Sequence, residues 1–164
     1  MSEGVDYNKA IEVADIVELK ERQKSLLFKE SNNLKKVNIG GVIKKIHIRQ
    51  IKKYSKNIQV WIVNGELIRD LFCIDFTEGG HDKVYRFIPK NEIWIDNDIL
   101  RAEFRYVLLH EMHERILMSK GLDYHSAHID SSHIEFYCRH HPKELPVKLK
   151  QETDNTKVLE IIKH

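Results

Sequence analysis

Four side chains able to hold or move a proton, or to bind a cation, fall in five consecutive positions: His110, Glu111, His113 and Glu114. The surrounding stretch, Phe104 to Met118, is apolar almost all round, with Phe104, Val107, Leu108, Leu109, Met112, Ile116 and Leu117. That pattern predicts a helix inside the protein. Imidazoles and carboxylates are costly to bury without a charged partner, and a divalent cation is such a partner. His110 and Glu114 are four apart, so on a helix they leave one face a turn apart and both reach one ion. Glu111, the neighbour of the first ligand, projects beside the ion, where a carboxylate accepts a proton from water.

The next elements must complete such a centre. A turn at Ser119-Lys120-Gly121, with glycine at the helix C-terminus, predicts a second helix from Asp123, its N-cap, to about His140, stopped by Pro142. On it Tyr124, Ala127, His128, Ser131, Ile134, Glu135 and Cys138 form one stripe. His128 and Glu135 are the residues placed to finish the ligand set, while His125, His133 and His140 fall off the stripe and read as surface residues. Seven of the ten histidines lie between His110 and His141, the strongest local bias in the chain.

Upstream, residues 7–30 show helical spacing of Ile11, Ala14, Ile16, Val17, Leu19, Leu26 and Leu27. A basic segment follows, with Lys44, Lys45, Arg49, Lys52, Lys53 and Lys56 interleaved with Val42, Ile43, Ile46, Ile48 and Ile51. Such cations could neutralise nucleic-acid phosphates; the interleaving favours a strand or short helix with a solvated basic side. Strand-like runs then come at 58–63, 67–76, 84–88 and 92–96, the first two joined by Asn64-Gly65, a hairpin signal. Asp96-Asn97-Asp98 supplies capping side chains ahead of the metal-site helix. The expected fold is α+β: an N-terminal helix and connector (1–40), a small, mostly antiparallel sheet with a helix hairpin (41–142), and a C-terminal tail (143–164) with an extended piece at 145–149.

At 164 residues and net charge +2, the chain suits one domain without a strong electrostatic partner. No apolar run approaches the roughly 20 residues of a membrane span. Cys73 and Cys138 have no metal-ligand spacing, and the expected location is the cytoplasm.

The order of elements resembles the minimal core of the zincin metallopeptidases: an edge strand ending in an acidic turn (Ile93 to Asp96), a helix bearing Leu108-Leu109-His110-Glu111, and a downstream helix with the last ligand. The motif is His-Glu-x-x-Glu, with Glu114 where that family has a second histidine. The chain is also similar to small prokaryotic or phage proteins with Gly79-Gly80-His81, Ile88-Pro89 through Glu92-Ile93-Trp94-Ile95-Asp96, Leu109-His110-Glu111 and Ala127-His128. The zincin resemblance implies His110, Glu114 and His128 as ligands of Zn2+, with Mn2+ or Fe2+ also suited to a carboxylate-containing set. It implies Glu111 as the general base. Glu135 would be a fourth ligand or an acceptor orienting a ligating histidine, and His81 an outer member of the site or a transition-state donor. The expected function is a zinc-dependent hydrolase of peptidase type acting on a peptide or protein. Alternatives are a non-catalytic metal-binding module and a nucleic-acid- or protein-binding module.

Overall fold

A computed structural model describes residues 39–161, so the helix expected over 7–30 lies outside the described residues. The architecture is α+β, with a four-stranded mixed sheet in the order β1-β2-β4-β3. Its elements are α1 (Ile39–Ile46), β1 (His47–Gln50), β2 (Gln59–Val63), α2 (Gly65–Leu71), β3 (Gly79–His81), β4 (Glu92–Asp96), α3 (Phe104–Ser119), α4 (Tyr124–His140) and α5 (Leu145–Ile161). The outer pairs are antiparallel and the central pair, β2 with β4, is parallel.

A parallel pair needs a long crossover, and its strands are usually covered on both faces. Both conditions are met. Val60, Ile93 and Ile95 turn to one face and pack with Leu108, Leu109 and Met112 of α3 and Leu145 and Leu149 of α5. Val63 and Trp94 turn to the other, against Ile46, Ile68, Phe76, Tyr85 and Ile88. Every residue of β4 is buried, so β4 is an inner strand and the sheet edge beside it is β3, where the zincin resemblance implied an edge strand at 93–96.

Asn64-Gly65 does not turn a hairpin. The Asn64 side chain accepts the Leu67 N–H at 2.9 Å and starts a helix, the local bond that makes asparagine a favoured N-cap. The run expected as a strand over 67–76 is therefore α2 followed by turns, and 84–88 is a chain of turns folded under Trp94. The acidic turn also acts elsewhere than expected. Asn97 Oδ1 accepts the Gly65 N–H, and Asp96 and Asp98 both bind Arg69, tying α2 to the end of β4. A Cβ at Gly65 would fall on the Asp96 carboxylate. Helix α3 starts at Phe104 without a side-chain cap.

The hairpin of α3 and α4 follows the expected pattern. Gly121 has φ +103° beyond the end of α3, a conformation open to glycine at little cost. Asp123 caps α4 by accepting the Ser126 N–H. The tail departs from expectation: residues 145–161 form one helix, which takes in the piece expected to be extended at 145–149. Pro146 lies in its first turn, where the missing N–H costs nothing. Buried Leu145, Leu149, Thr153 and Thr156 hold it to the body of the protein. The basic segment forms α1, β1 and the turn after it, with Lys44, Lys45, Arg49, Lys52, Lys53 and Lys56 all exposed. It occupies the β1 edge, across the sheet from β3.

Candidate metal centre

The centre forms where β3, α3 and α4 meet. Gly79 lets β3 pass close over α3: a Cβ there would sit 3.1 Å from Val107 Cγ1 and 3.2 Å from Glu111 Cγ. The next glycine serves the fold beneath, since a Cβ at Gly80 would meet the Tyr85 ring at 2.5 Å. With the strand so placed, His81 is fully buried and its Nε2 lies 2.9 Å from Glu114 Oε1. The loop position expected for His81 is thus a strand position facing the helix.

On the other side of Glu114, Oε2 lies 3.3 Å from His110 Nε2 and 2.7 Å from His128 Nδ1. The two imidazole nitrogens are 3.1 Å apart. These three atoms lie within 4.8 Å of one another, close enough for two nitrogens and one oxygen to share a single cation. The small side chain of Ala127 and buried Ser131 bring α4 close to α3, and the Tyr124 ring stacks on His128 at 5.3 Å. A cleft of about 270 Å³ opens over the three donors, walled by Glu78, Gly79, Tyr85, Val107, Glu111 and Tyr124 among others.

The neighbours settle which nitrogen does what. Glu135 Oε2 accepts from His110 Nδ1 at 2.9 Å, which fixes a proton on Nδ1 and leaves Nε2 as the ring nitrogen that would face an ion, the usual arrangement behind a ligating histidine. Glu135 therefore stands behind His110 and outside the group of His110, Glu114 and His128. At His81 the tautomer is the reverse. The Lys83 N–H donates to Nδ1 at 3.2 Å, so neutral His81 carries its proton on Nε2 and donates it to Glu114. The cluster of His81, Glu111 and Glu114 has the compactness of a ligand set, but this tautomer makes His81 a support for Glu114.

Burial disfavours charge on His110, yet its hydrogen bonds to Glu114 and Glu135 outweigh that and raise its pKa to about 10. Burial likewise pushes Glu114 up, while His110, His128 and His81 hold it well below the usual carboxylate range. The cluster is thus an ion pair built around one carboxylate, and a cation would take the place of the proton on His110 Nε2.

Of the expected set, His110, Glu114 and His128 converge, Glu111 lies beside them, and His81 and Glu135 stand in outer positions. His113, next to Glu114, points away and bonds Glu152 Oε1 of α5 at 2.9 Å. Two supporting arginines escaped the sequence reading. Arg115 is buried against Asp82 and Asn91, fastening α3 to the turn after β3. Arg139 bonds Glu135 at 2.7 and 3.0 Å, and its i+4 spacing from Glu135 was the available signal.

Compared with known proteins, the chain matches no family profile, no curated protein and no solved structure. Among the described residues no helix is long and apolar enough to cross a membrane.

Proposed function

We propose that the chain is a metal-dependent hydrolase of peptidase type, with His110, Glu114 and His128 holding the cation and Glu111 as general base. The observation that carries this reading is the convergence of His110 Nε2, Glu114 Oε2 and His128 Nδ1 beneath an open cleft. The donor set is that of two imidazoles and a carboxylate, which suits Zn2+ and also Fe2+ or Mn2+. A bound divalent cation would supply Lewis acidity toward a substrate carbonyl.

The protein's own groups do the rest. Glu111 lines the cleft next to Glu114, where its carboxylate accepts a proton from an attacking water and returns it to the leaving amine. His81 and Glu135 hold Glu114 and His110 in place, so the donors need not reorganise when substrate enters. Gly79 of the edge strand β3 lines the cleft, and an edge strand can pair with an extended chain, which favours a peptide or protein substrate.

The reading is tested by metal content and by peptide hydrolysis, with Glu111→Gln as the control that keeps the metal and loses turnover. Turnover unchanged in Glu111→Gln would remove Glu111 from the reaction.

A further inference from the structure

Glu135 has two carboxylate oxygens and both are engaged. Oε2 accepts from His110 Nδ1 at 2.9 Å. Oε1 accepts from Arg139 Nε at 3.0 Å and from Nη2 at 2.7 Å. Arg139 is itself tethered: Nη2 lies 2.6 Å from Glu103 Oε2, just before α3, and the guanidinium sits 4.6 Å over the Tyr106 ring. The guanidinium is thus gripped from α3 while it grips a carboxylate on α4.

This matters because Glu135 also lines the cleft. A carboxylate one imidazole ring away from three metal donors is a competitor for the fourth coordination place, and a four-ligand site is closed to substrate. Two N–H groups of one rigid guanidinium on the same oxygen fix that oxygen in direction as well as charge, which a single ammonium does not.

Resting on the metal reading above, we infer that Arg139 is a positioning residue that holds Glu135 behind His110 and keeps it off the cation, so that the centre retains an open place. Arg139 bonds Glu135 and Glu103 and acts through Glu135.

The test uses the full chain loaded with Co2+, whose visible absorption reports coordination number, and titrates azide as a small anion that binds only at an open place. Wild type takes up Co2+ and binds azide. In Arg139→Gln, Glu135 moves onto the metal: the visible bands change and azide affinity falls by about tenfold or more, because the open place is taken. In Arg139→Gln combined with Glu135→Gln, azide affinity returns toward wild type. Arg139→Lys, which keeps the charge without the fork, lies between and serves if the glutamine variant does not fold. Unchanged spectrum and azide affinity in the Arg139 variants would overturn the inference, as would an equal fall in the double variant. Failure of wild type to take up Co2+ would overturn the metal reading itself, a result distinct from either.

Discussion

His81 donates its Nε2 proton to Glu114 Oε1 over 2.9 Å, joining the edge strand β3 to α3. Because Lys83 N–H occupies His81 Nδ1, the donated proton cannot shift to the other nitrogen without losing that bond. Glu114 is thereby held with Oε2 toward His110 and His128.

Removing this support should weaken the centre without dismantling it. His81→Ala is expected to lower metal affinity by about 10–100-fold, measured by competition with a chromophoric chelator. His81→Gln, whose amide also donates, should recover part of the loss. Equal affinity in wild type and His81→Ala would mean that Glu114 needs no orientation from the strand.

Glu111 should behave differently. Its carboxylate is beside the donor triangle and outside it, so Glu111→Gln is expected to keep metal affinity within a few-fold and to lower peptide turnover by about 10²–10⁴-fold, the usual contribution of a general base. A large loss of metal in Glu111→Gln would make it a ligand.

The buried pair of Asp82 and Arg115, 2.6 Å apart, should contribute to acid stability. Burial works to raise the Asp82 pKa, but the Arg115 hydrogen bonds and the Asn91 N–H prevail and hold it below the ordinary value. A carboxyl depressed in the folded state stabilises the fold above its unfolded pKa near 3.9, and that contribution is lost as pH falls through the lower folded value. Urea denaturation from pH 5 downward should therefore show a steep loss of stability in wild type below about pH 4 and a shallower one in Asp82→Asn. Parallel curves would show that the pair does not set the acid limb.

The C-terminal helix offers a packing test. Leu149 is 1% exposed, within the cluster that joins α3, α5 and the sheet. Leu149→Ala should cost about 2–5 kcal/mol, read by chemical denaturation. A cost under about 0.5 kcal/mol, ordinary for a surface position, would detach α5 from the core.

The α3–α4 hairpin was legible in the sequence because its signals are local: an apolar helix, Gly121 and Asp123 at the turn, and one polar stripe on α4. The convergence of His110, Glu114 and His128 follows from that geometry. The sheet was harder to read. Asn64-Gly65 carries a turn signal, yet Asn64 serves equally well as an N-cap, and which use wins depends on Asn97 and Asp96, more than thirty residues away. Leu145 and Leu149 look sparse in a polar tail, and only contact with α3 gives them a helix to belong to. Arg115 and Arg139 resemble surface charges in a sequence, since their partners Asp82 and Glu103 become neighbours only through the fold.

If His110, Glu114 and His128 hold one cation, protein purified without added metal or a histidine tag should carry it. Elemental analysis beside Glu114→Ala and His128→Ala is expected to give about one equivalent of zinc, iron or manganese in wild type and its loss in both variants. Wild-type protein that carries no metal and takes none up on titration would contradict that assignment.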